Sequence, residues 1–246
     1  SGSAANSTIS TRFDNSGVVD VQSGVLNLDG GGTDVGATYQ GAGTVDFGGG
    51  VRTLDAASSI TGNATFSGGT TTVDGGTGTG LLTVSGGTAI FNNAVTAGAL
   101  TQSGGLLGGT GTLTATGASA FSGGTQSGLG TTLLQGGAEF SLFPALDGGR
   151  TLQLGGTSVA TGTFVQINLN GANPSTGISE IGSGTLRIAS GATFDDQTTS
   201  SGLNIVSNNF GAADNGADAL VINEGTLIKS GSAANSTIST RFDNSG

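Results

Sequence analysis

The chain has no cysteine, methionine, tryptophan or histidine, one tyrosine, and two prolines, Pro144 and Pro174. Without thiols, neither disulfides nor thiolate metal sites can hold the fold, so stability must come from packing and backbone ladders. Without histidine, the commonest general base at neutral pH is missing. Two prolines beside fifty glycines exclude collagen, which needs glycine at every third position and far more proline. Charge is also scarce, at 9% of residues, and sixteen acids against six bases leave a net charge of −10. That balance excludes nucleic acid as a partner, since binding it depends on neutralising phosphates with Lys and Arg, and it disfavours anionic membranes. No apolar run is long enough to cross a bilayer, so direct membrane insertion is not expected. The 246 residues carry no secretory leader, so targeting has to be inferred by other means.

Low charge together with 34% hydrophobic residues also argues against disorder. The glycines alternate with short clusters of Val, Leu, Ile, Phe and Thr, the pattern of many short strands joined by tight turns. The fold class is all-β. Ser1 to Gly17 (SGSAANSTISTRFDNSG) returns unchanged as Ser230 to Gly246, an offset of 229 residues. An expression tag would not copy an internal stretch of mixed hydrophobic and turn residues, so residues 1–229 are expected to be one full unit of a tandem array and 230–246 the start of the next.

A shorter period lies inside the long one. The triplet x-Gly-Gly starts at Asp29, Gly48, Ser67, Ser85, Ser103 and Ser122, at intervals of 18 or 19 residues. Aligned on these glycines, Leu28, Phe47, Phe66, Val84, Gln102 and Phe121 form one column, and Leu26, Val45, Ala64, Leu82, Leu100 and Ser119 another. The residues between them are polar or small, as a strand with one buried face requires. The core is therefore expected on Leu26, Leu28, Val45, Phe47, Phe66, Leu82, Val84 and Phe121. A further column holds Val35, Leu54, Val73 and Phe91. A coil of about 18–19 residues divides into three short strands and three bends, which predicts a single-stranded parallel β-helix, a triangular β-solenoid with glycine at its corners. The count loosens after Ser122, and the segments around Pro144 and Pro174 are expected to leave the regular path as loops.

The strands Gly24-Val25-Leu26-Asn27-Leu28, Gly43-Thr44-Val45-Asp46-Phe47 and Gly184 to Ile188, the S-G-G-T bends at Ser67 and Ser85, and the Phe-Asp-Asn-Ser-Gly segments resemble bacterial β-strand-repeat surface proteins. These include filamentous-haemagglutinin-like adhesins and autotransporter passenger domains with their associated β-strand repeats. The resemblance covers nearly the whole chain. It implies a right-handed helix, export to the cell surface, and a role as stalk, adhesin or fibre, and it carries over no catalytic set.

Asp195-Asp196 is the only adjacent acid pair, and glycoside hydrolysis uses two acids. The wording Phe194-Asp195-Asp196-Gln197 echoes Phe13-Asp14-Asn15-Ser16 and Phe91-Asn92-Asn93-Ala94, which points instead to a recurrent polar corner. No nucleophile–base pair or cation cluster is visible, so an enzyme is not expected. Gly216-Ala217-Asp218-Ala219-Leu220 matches half of a calcium-binding β-roll repeat and makes Asp214 and Asp218 the calcium candidates, against the alternative that both are solvated corner acids. No other cofactor is expected. Thr65, Thr83 and Thr101 form a single outward threonine column, where ice binding uses two. No charged residue occurs between Asp74 and Glu139, so Leu81, Leu106 and Leu107 are candidates for lateral packing between rods. The function expected is a structural module of a giant tandem-repeat extracellular filament or adhesin stalk on a bacterial cell surface, self-assembling with neighbouring copies head to tail. The alternatives are a β-helix polysaccharide lyase or hydrolase, and an adhesive module whose loops near Pro144 or Pro174 bind glycans or proteins.

Overall fold

The computed structural model describes residues 5–211, 214–232 and 235–246. All strand pairings among them are parallel, and they stack into a β-solenoid with three faces. On the first face, Asn6–Ile9 pairs with Val25–Leu28, then Thr44–Phe47, then Asn63–Phe66, and the stack continues to Thr157–Asn168, Thr193–Asp196 and Thr226–Lys229, eleven strands in all. The second face runs from Gly32–Asp34 to Thr237–Ile238, and the third from Val18–Asp20 to Arg241–Asn244. Each backbone group thus finds its partner one coil away rather than within its own strand.

Early coils keep the short period: Leu26 pairs with Val45, Val45 with Ala64, and Leu82 with Leu100. Side chains alternate in and out, and the inward ones stack in columns. Phe47 lies parallel on Phe66 at 5.1 Å between ring centroids, and Phe121 on Phe140 at 5.2 Å. Leu28, Val45, Phe47, Phe66, Leu82, Val84 and Phe121 are buried in these columns, and Leu26, near the open end, is partly buried. Gln102 interrupts the aromatic column yet is satisfied inside it, its Nε2 donating to the Thr125 carbonyl at 3.2 Å.

The corner glycines explain the x-Gly-Gly spacing. Gly50, Gly69, Gly87, Gly105 and Gly124 all have φ between 56° and 79°. A Cβ on Gly87 would sit 2.4 Å from the Gly68 carbonyl carbon of the coil beneath, so both conformation and stacking distance select glycine there.

The column expected at Val35, Leu54, Val73 and Phe91 is corrected at its first member. Asp34, not Val35, pairs with Leu54, and Val35 is exposed. The cause is a coil one residue longer between Gly32 and Arg52, which moves the inward set by one position and brings a carboxylate into the interior.

Late coils swell, as the loosened glycine count predicts. Val159 pairs with Asp195 and Asp195 with Ile228, so these coils take nearly twice the early length. The added residues leave at corners. Leu169 to Gly184 folds back over the outer side of the second face, where Thr125 Oγ1 donates to the Ala172 carbonyl at 2.7 Å and Ser127 Oγ to Glu180 Oε2 at 2.6 Å.

Candidate functional site

The excursion at Leu169 to Gly184 determines where a ligand could bind. Its edge, with Pro174, faces Phe143 and Phe210 across a cleft of about 390 Å³ floored by the corner glycines Gly104, Gly105 and Gly124. Phe143 is presented by a local distortion: at Leu142, the only described non-glycine residue at positive φ (54°), the register shifts, Phe140 pairing with Ala160 but Leu142 with Val165, and Phe143 is turned outward, where Phe164 packs on it at 5.9 Å. Both proline segments border this one cleft, a juxtaposition that the sequence reading did not anticipate. Every polar side chain lining it, Thr125, Gln166 and Asn168, is uncharged. Asn168 is committed to the excursions, its Oδ1 accepting from the Asn170 and Asn208 amides. Gln166 is left to face the cleft. Such a surface can hold a neutral ligand by apolar contact and amide hydrogen bonds, and it presents no acid, base or nucleophile to one.

A second polar centre is buried in the early coils, at residues that the sequence reading did not single out. Arg52 and Asp34, exposed by 1% and 0%, form a two-pronged pair through Arg52 Nη1 at 2.8 and 2.9 Å. Tyr39 donates its hydroxyl to Asp34 at 2.9 Å, and Arg52 Nη2 donates to the Gly31 carbonyl at 2.9 Å. Burial pushes the Tyr39 hydroxyl pKa far up, so it stays a donor. Glycine is required at Gly32 by the coil beneath, because a Cβ there would lie 2.0 Å from the Phe13 carbonyl oxygen, and Arg52 Nη2 lies 3.1 Å from the same position. The network is sealed from solvent and braces two successive coils. The visible signal in the sequence was Gly31-Gly32-Thr33-Asp34 at one coil's spacing from Arg52.

A third group sits under the excursion. Asp147 is buried and accepts the Glu180 amide at 2.7 Å through Oδ2, while Oδ1 has no hydrogen-bond partner among the described residues. Burial pushes its pKa up to about 6, and the charges of Glu180 and Asp214 add to the rise. Beside it, Arg150 is buried with no carboxylate partner among the described residues, donating to Thr132 Oγ1 at 2.9 Å and to the Gly109 carbonyl at 3.2 Å; burial lowers its pKa to about 10.

The sequence-selected acids are not brought together. Asp195 points outward and Asp196 inward on one strand of the first face, so the pair cannot flank a substrate and is not the polar corner expected from its wording. Asp196 accepts hydrogen bonds from Ser236, from Thr198 Oγ1 at 2.5 Å and from Lys229 at 3.4 Å. Burial raises its pKa, but these partners together hold it below the usual carboxylate range. Asp214 caps an excursion, taking the Ser183 hydroxyl at 3.2 Å and the Gly216 amide at 3.0 Å, whereas Asp218 is exposed. No group of three or more acids is placed to hold a metal ion among the described residues.

Of the lateral-contact candidates, Leu81 is exposed (42%). Leu107 is corrected to a core position, because it pairs with the inward Ala89, and Leu106 is corrected to a covered one, because the excursion lies on its outer side. Threonines 65, 83 and 101 do stack in one outward row. Comparison with protein-family models, with curated proteins and with solved structures finds no match to this chain.

Proposed function

We propose that the chain is a structural module of a long tandem-repeat filament or adhesin stalk, exported to a bacterial cell surface, in which one continuous β-solenoid runs from unit to unit. The observation that carries this reading is the duplicated segment. As Asn6–Ile9 it is a strand with a partner on one side, and as Thr237–Ile238 it is a strand with a partner on the other. Among the described residues, each copy leaves free the edge that the other copy has filled. An open β-edge recruits another strand, and here the strand that fits has the same sequence. The mechanism is mechanical: ladder hydrogen bonds and stacked Phe, Val and Leu columns resist bending, with no reaction to catalyse. The resemblance to bacterial β-strand-repeat adhesins supports the cell-surface setting. Chains of one, two and four units, measured by small-angle scattering and electron microscopy, should be rods whose length grows in proportion to unit number. A monomeric single unit at high concentration, or multi-unit chains that collapse into unjoined globules, would contradict the reading.

A second reading has its own support in the cleft between Phe143, Pro174 and Phe210. Paired aromatic walls with an amide side chain suit a neutral glycan or an uncharged peptide turn, making the rod an adhesive one. Binding on a glycan array that disappears with Phe143→Ser and Phe210→Ser would establish it.

A further inference from the structure

The two copies of the duplicated segment do not lie on the same faces. In the first copy, Asn6–Ile9 is on the first face and Asn15 bridges to Asp34 on the second. In the second copy, Thr237–Ile238 is on the second face and Arg241–Asn244 on the third. We infer that consecutive units join with a one-third-turn offset, so that the second face of one unit continues as the first face of the next, and each unit advances ten and one-third coils. The inference rests on the tandem reading above and specifies how the joint is made.

The pairing is consistent at every position the structure provides. Ile9 and Ile238 both pack on the core, as does Phe13, and Phe242 pairs with the inward Val221. Asn15 bridges to the buried Asp34, and Asn244 pairs with the buried Asn223, whose Nδ2 donates to it at 2.7 Å. Outside, Arg12–Asp14 and Arg241–Asp243 form the same ion pair at 3.0 and 2.7 Å. The segment therefore keeps its inward and outward sets while moving by one face. Superposing the copies gives it a strand below (Gly202–Val206, then Leu220–Asn223) and a strand above (Val25–Leu28, then Gly32–Asp34), with no edge left open.

The remaining face closes as well. Thr226–Lys229 has no strand above it among the described residues, and Val18–Asp20 has none below. The offset lays the Val18–Asp20 strand of the following unit on Thr226–Lys229, with Val19, which faces in beneath Tyr39, above the inward Leu227 and Lys229. A hollow of about 280 Å³ at the upper end includes Leu227, Lys229 and Ser236, and one of about 260 Å³ at the lower end includes Ser7, Val19 and Leu26. Ser7 and Ser236 are the same residue of the period, so the two hollows adjoin at it across the joint. An in-phase joint would need about two-thirds of a coil more chain than exists, since only Ser230 to Ala234 separate Lys229 from the copied strand. At ~4.8 Å per coil the unit advances roughly 50 Å, and a given excursion returns to the same side of the rod after three units, roughly 150 Å.

The test uses a chain of two full units, in which the lack of native cysteine makes cross-linking clean. Ile228→Cys of the first unit is combined with Asp20→Cys of the second, or with Thr8→Cys of the second, and treated with a short bis-maleimide. All three side chains are exposed, so the substitutions leave the core intact. The offset predicts efficient cross-linking of Ile228 to Asp20 and at least a tenfold slower reaction with Thr8. Cross-linking to Thr8 alone would overturn the offset and leave the continuous rod standing. Neither cross-link in a straight rod would likewise overturn the offset only, whereas neither cross-link in two unjoined globules would overturn the tandem reading with it.

Discussion

Removing one member of the buried Arg52–Asp34–Tyr39 network should be among the most damaging changes available to the chain. In Arg52→Met, the Asp34 carboxylate, fully buried, loses both guanidinium bonds and keeps only the Tyr39 hydroxyl. In Asp34→Leu, Arg52 keeps only the Gly31 carbonyl and Tyr39 as partners. Stranding either charge in the interior costs about 3–5 kcal/mol. The double variant Asp34→Leu/Arg52→Met removes both charges and refills the space with apolar atoms, so it should lie within about 2 kcal/mol of the parent, giving a coupling of at least about 4 kcal/mol. The assay is urea denaturation followed by far-ultraviolet circular dichroism and by tyrosine emission. Tyr39 is the sole tyrosine and there is no tryptophan, so emission reports on this coil while dichroism reports on the whole solenoid. Because coils are coupled mainly to their neighbours, the tyrosine transition should move further than the dichroism transition. Single variants within about 1 kcal/mol of the parent, or a double variant as unstable as the sum of the singles, would refute the account of the network as a paired charge held by its own packing.

Three other outcomes follow from geometry. Gly87→Ala should destabilise by more than about 3 kcal/mol, since it combines positive φ with a clash against the coil below, whereas Gly78→Ala, with open space around its Cβ, should stay within about 0.5 kcal/mol by thermal melting. Leu81→Asp should leave melting unchanged and lower any light scattering from bundled rods, while Leu107→Asp should abolish folding, because that side chain lies in the core. Asp147, with its pKa pushed up to about 6, binds its proton more tightly in the folded than in the unfolded chain, so its contribution to stability falls as pH rises from about 4 to 6 and is level above that. Asp147→Asn should remove that slope and stabilise the protein at pH 7.5 by about 1–2 kcal/mol, read as the difference in melting temperature between the two proteins across pH.

The regular half of the solenoid was legible because one physical cause produces each sequence sign. Corner glycines recur at the coil length because positive φ and carbonyl contact recur there, and the columns at Leu28, Phe47 and Phe66 recur because parallel in-register stacking puts like beside like. Where coil length changes, the sign fails. One extra residue before Arg52 put Asp34 rather than Val35 inside, and nothing in a local window distinguishes these neighbours. Leu106 and Leu107 lie in a neutral stretch that reads as surface, yet Leu106 is covered by a segment more than sixty residues later in the chain. The cleft was half legible: Pro144 and Pro174 marked departures from the path, but only folding brings Phe143 and Phe210 to the same opening.

The duplicated segment separates what repetition in sequence requires from what it leaves open. Identical residues must keep the same alternation, since Ile9, Phe13 and Asn15 are inward in one copy and Ile238, Phe242 and Asn244 are inward in the other. Nothing requires them to keep the same face of a triangle, because all three faces offer the same parallel edge. Which face they take depends on how many corners the intervening residues make. Here the long excursions of the late coils consume residues without adding corners, while Leu227 reaches Ile238 across a single one. The two copies of the segment therefore lie a third of a turn apart, and on the proposed tandem joint any surface feature of the unit, the cleft included, would be carried around the rod rather than along one side of it.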